Sequence, residues 1–109
     1  MEEKILKYIG FAAAGRGTAT GTALVLDAVR AGKAKIVLLA SDASARTAKQ
    51  VCDKCATYSV PVLPLAADME ALGRALGKRS AVAAAAVTDA GIADAILREK
   101  EKGSAAGPQ

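Results

Sequence analysis

An unbroken apolar run, Ile36–Ala40, is the feature that most constrains the fold of this chain. Because the run has no alternation of apolar and polar residues, it predicts a strand buried on both faces of a sheet. In the segment before it, apolar residues recur at the spacing of one helix face and predict an amphipathic helix. Thr20 or Thr22 can cap the start of that helix, and Gly32 can end it. A helix–turn–strand unit therefore stands at the centre of the chain.

Helices and strands alternate along the rest of the chain. Helical apolar spacing predicts four more helices, over residues 3–14, 44–58, 68–76 and 88–100. Side chains able to cap helix starts precede three of them: Asp42 or Ser44, Asp68, and Thr88 or Asp89. Further strands are predicted near residue 18, over 60–65, where prolines indicate a sheet edge or an interruption, and over 80–87. This order predicts an α/β protein, a three-layer α/β/α sandwich with a small mixed sheet.

The length of the chain indicates a single domain. With 109 residues it can form one hydrophobic core but not two, and the patterned part covers residues 1–100. Residues 101–109 are polar and rich in small side chains, which predicts a disordered tail. No apolar run approaches the ~20 residues of a membrane span, and the start of the chain lacks a signal-peptide cleavage pattern. We therefore expect a cytoplasmic protein with no membrane partner, in which Cys52 and Cys55 stay reduced.

Aromatic residues are scarce and the net charge is positive. One Phe, two Tyr and no Trp count against modules that stack bases on aromatic rings. The net charge of +4 is compatible with a polyanionic partner but does not identify one. Composition therefore leaves nucleic-acid binding open without demonstrating it.

No arrangement of catalytic or metal-binding residues stands out. Cys52 and Cys55 are spaced as a CxxC pair, but they fall inside the predicted third helix, and the chain has no histidine. Zinc needs about four ligands, and a nucleophilic triad needs a base. Four carboxylates are scattered, three of them at expected helix caps: Asp27, Asp42, Asp68 and Asp89. The sequence predicts a non-enzymatic protein with no metal, no cofactor and a structural cysteine pair.

A glycine-rich loop, Gly15–Gly21, precedes the second helix. It follows a helix rather than a strand and no phosphate-loop lysine comes after it, so a nucleotide fingerprint is disfavoured. Its backbone could still approach an anion at the helix start. The loops before the second and fourth helices should open at the same end of the sheet, where ligands of such sheets collect. A solvated surface would explain most of the nearby basic residues: Arg16, Lys33, Lys35, Lys78 and Arg79.

Several segments occur in a recognisable order: Arg30–Asp42, Cys52–Cys55, Val60–Val62, Leu72–Lys78 and Ala85–Gly91. In this combination the chain resembles the kink-turn RNA-binding family of ribosomal proteins, which includes the large-subunit proteins seven-Ae and thirty-e. The likeness covers about residues 5–98 and is strongest to small bacterial members of the family. It implies a single ribosomal-type RNA-binding domain with a three-layer α/β/α fold, in agreement with the fold predicted from the apolar pattern.

The resemblance also implies a binding mode. Family members insert the start of their second helix into an RNA whose tandem sheared G·A pairs open a distorted groove. Amide hydrogens and the positive end of the helix dipole then meet phosphates and base edges. On this chain that site falls at Gly21, Thr22, Ala23 and Leu24, with Asp27. A second, apolar loop that packs against a flipped-out base falls at Leu65–Asp68, where Ala66 and Ala67 would contact the base.

Three side chains depart from the family pattern. Members that bind kink-turns strongly carry Asn, Glu and Lys where this chain has Ala23, Leu24 and Asp27. The charge-assisted hydrogen bonds of those side chains cannot form here, at a cost of about 1.5–3 kcal/mol each, and Asp27 would bring a negative charge toward RNA. The arginine-rich stretch expected before this helix is reduced to Arg16.

Two hypotheses follow. In the first, the protein binds RNA without catalysis, associated with the ribosome or with another structured, kink-turn-like RNA, and ribosomal or other proteins are possible further partners. In the second, the fold is kept, kink-turn recognition is lost, and the protein acts as a protein-interaction or assembly module. The first assigns RNA contacts to Arg16, Gly21, Thr22, Ala23, Leu24, Asp27, Lys33, Lys35, Ala66, Ala67, Lys78 and Arg79.

Overall fold

The computed structural model describes residues 2–105, with side chains over residues 2–101. Five helices and four strands follow one another in this part of the chain. The helices are α1 (Glu2–Ala14), α2 (Thr22–Arg30), α3 (Ala45–Tyr58), α4 (Met69–Ala75) and α5 (Ala90–Ala105). The strands are β1 (Thr18–Thr20), β2 (Ile36–Leu39), β3 (Val62–Pro64) and β4 (Ala84–Val87). None of the described helices is long and apolar enough to cross a membrane.

The four strands form one mixed sheet in the order β1-β4-β2-β3. β4 is antiparallel to both of its neighbours, with Ile36 of β2 opposite Val87. β3 runs parallel to β2 and pairs Pro64 with Leu39. All four residues of the inner strand β2 are buried, as the apolar run predicts. The small mixed sheet is therefore confirmed, and the proline-containing strand lies at its edge, where a missing N–H is tolerated.

Helices cover both faces of the sheet, and alternate β2 side chains enter different layers. Ile36 and Leu38 belong to an apolar cluster formed with α1, α4 and α5. Val37 and Leu39 belong to a second cluster formed with α2 and α3. Burial on both faces explains why this strand carries no polar residue. The predicted three-layer α/β/α sandwich is confirmed.

Capping agrees with the sequence at three helix starts and differs at α2. Predicted side chains accept hydrogen bonds of 2.8–3.1 Å from first-turn amides of α3, α4 and α5: Ser44, Asp68 and Asp89. The predicted cap of α2 by Thr20 or Thr22 is wrong, because Gly21 occupies the N-cap position and no side-chain cap bond forms. Gly32 follows the end of α2 at φ 75°, the left-handed conformation expected of it.

Two strands are shorter, and the last helix longer, than predicted. β3 spans only Val62–Pro64, and β4 begins at Ala84 because the Val82 amide bonds to α4 instead of to a strand. α5 runs to Ala105, so residues 101–105 of the predicted disordered tail are helical. The Glu and Lys residues at 99–102 are strong helix formers and extend the helix. Residues 106–109 of that tail lie outside the described residues.

Candidate nucleic-acid interface

One end of the sheet brings together the start of α2 and the loop between β3 and α4, as predicted. Gly21 N–H donates to the carbonyl of Ala84, the first residue of β4, at 3.0 Å. Leu65 N–H, just after β3, donates to the carbonyl of Leu39, the last residue of β2, at 2.8 Å. The α2 start follows β1 and the loop follows β3, and these strands are three spacings apart in the sheet. Because neighbouring strands lie about 4.8 Å apart, about 14 Å separates the α2 start from the loop. We call residues 21–24 together with residues 65–69 the candidate edge.

At the candidate edge, α2 presents an open helix start. Gly21 adopts φ 92° and ψ 148°, a conformation that favours glycine, and no side chain caps the helix. Thr22 is partly exposed, and Ala23 and Leu24 are exposed. First-turn amides lack partners within a helix and carry the positive end of its dipole. This backbone is therefore suited to an anion such as a phosphate group.

Two carboxylates from distant parts of the chain hold the β3–α4 loop. Glu2, the first residue of α1, accepts hydrogen bonds from the Ala66 and Ala67 amides at 2.7 and 2.6 Å. Asp42 accepts one from the Met69 amide at 2.7 Å. The amides of Ala66 and Ala67 are therefore already occupied, and Ala66 remains exposed to a partner.

Sequence reasoning missed one of these carboxylates and misassigned the other. Asp42 is one of two predicted caps of α3, but its side chain reaches the start of α4, and Ser44 caps α3. Glu2 lies 64 residues from Ala66 in sequence, and an acidic residue in a first helical turn is ordinarily explained by the helix dipole. No local pattern signals either contact.

The basic pair Lys78 and Arg79 borders a concavity beside α4. The segment after α4 folds back along the helix and returns to the candidate edge, where Val82 N–H donates to the Met69 carbonyl at 2.9 Å. The concavity has a volume of about 350 Å³ and is lined by Glu70, Arg74, Lys78, Arg79, Ser80 and Ala81. An ion pair of 2.8 Å with the arginine of α4 neutralises Glu70. The excess positive charge of the concavity therefore comes from the basic pair.

Arg16, Lys33 and Lys35, the other predicted basic contacts, lie at the opposite end of the sheet. Lys35 N–H donates to the carbonyl of Val87, the last residue of β4, at 2.8 Å. β1 separates Arg16 from Gly21 by about 15 Å, and the nine residues of α2 span about 14 Å. The structure thus divides the predicted contact residues into two groups rather than joining them in one surface.

The carboxylate of Asp27 has a partner within its own helix. It forms an ion pair with Arg30, one turn further on, and both side chains are exposed. A pair this exposed contributes little to stability, but it offsets the negative charge that Asp27 would bring toward RNA. The position at which strong kink-turn binders carry a lysine is therefore locally neutral here.

The two cysteines differ in environment. Cys52 is exposed and Cys55 is buried. Burial, with a smaller contribution from the charge of Cys52, raises the pKa of the Cys55 thiol to about 11. That thiol stays protonated near neutral pH and is a poor nucleophile. Over residues 2–101, no group of three or more His, Cys, Asp or Glu side chains could hold a metal ion.

Together, the sandwich, the open helix start and the apolar loop form a candidate binding surface. The chain belongs to the Ribosomal protein L7Ae/L30e/S12e/Gadd45 family, which it matches over residues 3–97. Membership of this family confirms the family predicted from the sequence and the prediction of a non-enzymatic protein.

Two bacterial relatives are named RNA-binding protein YlxQ. The chain is 42% identical to the Bacillus subtilis protein over 89 residues, which cover 82% of this chain and 87% of the relative. It is 40% identical to the Enterococcus faecium protein over 68 residues, 62% of this chain and 66% of the relative. The predicted likeness to small bacterial family members is therefore confirmed.

Solved structures show the same fold. A Bacillus halodurans protein of unknown function superimposes with a TM-score of 0.82 at 37% identity, covering 87% of this chain and 94% of that one. A Giardia lamblia 15.5kD RNA binding protein superimposes with a TM-score of 0.77, covering 93% of this chain and 88% of that one. At 23% identity, the second likeness shows the fold alone.

Proposed function

We propose that this protein binds structured RNA of the kink-turn type at the candidate edge, on the ribosome or on another folded RNA. The observation that carries the proposal is that the open start of α2 and the apolar β3–α4 loop lie at the same end of the sheet. About 14 Å separates them, and two carboxylates hold the loop. The names of the Bacillus subtilis and Enterococcus faecium relatives as RNA-binding proteins support the class of partner.

The open start of α2 carries the phosphate contacts of the proposal. The amides of Thr22 and Ala23 donate to phosphate oxygens or base edges, because they belong to the N-terminal turn of a helix without a side-chain cap. The Gly21 amide, which the sequence also assigned to this contact, is already bonded to the Ala84 carbonyl, so Gly21 contributes through its conformation. Ala66 and Ala67 pack against a base that leaves the RNA helix. Apolar contact suits these two residues because their amides already bond to Glu2.

Basic residues extend the RNA footprint in two directions. Lys78 and Arg79 contact phosphates of the RNA segment that is bound at the candidate edge. They can do so because the concavity beside α4 adjoins that edge. Arg16, Lys33 and Lys35 contact only an RNA long enough to reach the opposite end of the sheet. A short hairpin therefore uses the first group alone.

Affinity for a kink-turn is expected to be moderate. Ala23, Leu24 and Asp27 supply none of the charged or amide side chains that strong binders use. Two or three such losses at about 1.5–3 kcal/mol each weaken binding by roughly two to six decades. Backbone amides and phosphate contacts then dominate the binding energy, so affinity falls steeply with salt.

A second function, a protein-interaction or assembly module, is favoured by Leu24. This side chain is 57% exposed in the first turn of α2, within the candidate edge. Burying an exposed leucine against a partner is worth about 1.5–3 kcal/mol, whereas the same side chain makes no polar contact with RNA. Ribosomal or other proteins are the partners of this alternative.

A titration tests the first function against the second. The wild-type protein is titrated, at two salt concentrations, into a fluorescent hairpin with tandem sheared G·A pairs and into one with Watson–Crick pairs in their place. Preferential binding to the first hairpin, weakened steeply by salt, supports RNA recognition. No binding at micromolar protein, with a protein partner recovered from a pull-down, supports the second function, and salt-independent affinity contradicts the first. A cytoplasmic location stays a prediction under both.

A further inference from the structure

We propose that Glu2 is a positioning residue for RNA recognition. Through the Glu2 carboxylate, α1 holds the β3–α4 loop in the conformation that presents Ala66 and Ala67 to a base. The consequence for binding rests on the proposed function, whereas the holding of the loop is independent of it.

The contact uses both oxygens of the side chain. Oε2 accepts from the Ala66 amide at 2.7 Å, and Oε1 accepts from the Ala67 amide at 2.6 Å. Hydrogen bonds to an ionised carboxylate are shorter and stronger than those between neutral groups. Because two successive amides converge on one carboxylate, the backbone of both residues is restricted at once.

α1 is a firm support for this carboxylate. Glu2 and Ile5 lie three residues apart and thus on the same face of the helix, and Ile5 is buried against the core, as is Ile9 one turn further on. The helix packs against α4 and α5. The Glu2 side chain therefore projects from a docked helix toward the loop, and the hydrogen bonds need little further ordering.

Other contacts hold the flanks of the loop and the carbonyl group of Ala67. Leu65 N–H bonds to β2, Ser41 N–H donates to the Ala67 carbonyl at 2.9 Å, and Asp42 holds the Met69 amide. Removal of the Glu2 carboxylate should therefore loosen residues 66 and 67 without unfolding the domain. The loosening is confined to residues 66 and 67, which the proposed function places against RNA.

The opposite role for Glu2 would be competition with a phosphate for the same two amides. The carboxylate is tethered by α1, so its effective concentration at these amides is high compared with that of an RNA phosphate arriving from solution. Competition predicts that removing Glu2 strengthens RNA binding, and positioning predicts that it weakens binding. The sign of the effect therefore distinguishes the two roles.

Hydrogen exchange tests whether Glu2 holds the loop. In Glu2→Gln, one acceptor oxygen is lost, and we expect the Ala66 and Ala67 amides to exchange about tenfold faster or more than in the wild type. Glu2→Asp keeps the charge but shortens the reach, and it should have the same effect. Glu3→Gln is the matched control, because Glu3 is exposed in the same turn and makes no hydrogen bond or ion pair within the described part of the chain. Unchanged exchange in both Glu2 variants overturns the proposal.

The hairpin with tandem sheared G·A pairs tests the consequence for RNA affinity. Glu2→Gln and Glu2→Asp should bind it about tenfold more weakly than the wild type, because the loop must be ordered on binding. The salt slope should stay that of the wild type, since no phosphate contact is removed, and Glu3→Gln should bind as the wild type does. Equal or tighter binding by the Glu2 variants overturns the positioning role. Failure of the wild type itself to bind overturns the proposed function and the role of Glu2 in it, while the exchange rates still decide whether Glu2 holds the loop.

Discussion

Gly73 of α4 lies so close to Ser80 that a Cβ on residue 73 would stand 2.3 Å from the Ser80 carbonyl oxygen. Backbone oxygen and Cβ atoms do not approach so closely, so any side chain at this position pushes the segment after α4 away from the helix. That segment carries Lys78 and Arg79 and returns to α4 through Val82. A glycine therefore sets both the packing of α4 and the shape of the basic concavity.

Gly73→Ala should lower the free energy of unfolding by about 1–3 kcal/mol, because the added methyl group overpacks a backbone contact. Urea denaturation measures this change. Gly15→Ala is the control, since the nearest neighbour of a Cβ there, the Phe11 carbonyl oxygen, stands at an ordinary 3.6 Å, and its effect should stay within about 1 kcal/mol. Equal stability losses in the two variants would contradict this account of Gly73.

Gly21→Ala should destabilise the protein and weaken RNA binding together. No atom lies within 4 Å of a Cβ at this position, so the cost comes from φ 92° and ψ 148°, about 1–3 kcal/mol for a non-glycine residue. Relief of that strain moves the open start of α2. Gly32→Ala also imposes strain, at φ 75°, but at the far end of α2, and it should spare RNA affinity. Urea denaturation measures the stability of each variant, and hairpin titration measures its RNA affinity. Equal losses of RNA affinity in Gly21→Ala and Gly32→Ala would argue against a role for the α2 start.

The two basic groups should differ in their effect on a short hairpin. Lys78→Ala with Arg79→Ala should weaken binding and lower the salt slope by up to about 2, because each side chain that no longer neutralises a phosphate lowers it by about one. Lys33→Ala with Lys35→Ala removes the same charge at the opposite end of the sheet and should leave the slope unchanged. The slopes come from titrations at four or more salt concentrations. The same slope change in both double variants would mean that phosphate contacts are not confined to the candidate edge.

Restoring the side chains of strong kink-turn binders should increase affinity. The triple variant Ala23→Asn, Leu24→Glu and Asp27→Lys regains hydrogen bonds of about 1.5–3 kcal/mol each, so the G·A hairpin should bind at least about a hundredfold more tightly. Asp27→Lys alone controls for the added positive charge. A triple variant no better than this control would show that the start of α2 does not meet the RNA as in the rest of the family.

The Cys55 thiol should make stability fall in alkaline solution. Below pH 9, its ordinary pKa, the folded and unfolded states both keep the proton, and the thiol adds no pH dependence. Between pH 9 and about 11, the unfolded chain releases the proton and the folded chain keeps it. The free energy of unfolding then falls as pH rises, by up to about 1.4 kcal/mol per pH unit. Cys55→Ala should be less stable than the wild type, but its free energy of unfolding, measured by urea denaturation, should fall less steeply with pH in this range. Identical pH slopes in the two proteins would contradict the raised pKa of the Cys55 thiol.

Much of the fold could be predicted because burial leaves a periodic signature in sequence. The run Ile36–Ala40 indicated the inner strand, and its alternate residues indeed serve the two helical layers. Ser44, Asp68 and Asp89 marked helix starts, since a cap acts on amides two or three residues away. The start of α2 could not be predicted in this way because glycine occupies its N-cap position and has no side chain. The helical conformation of residues 101–105 was not predicted either, because it depends on the continuation of α5.

The sequence by itself determined the layers, the inner strand and the family, because apolar spacing, caps and motif order are properties of neighbouring residues. Only the tertiary structure decided which residues share the candidate edge. β1 carries the chain from Arg16 to the other end of the sheet before Gly21, and the fold brings Glu2 onto a loop 64 residues away. Strand direction and helix docking set these distances, and both arise from contacts between segments that are remote in sequence.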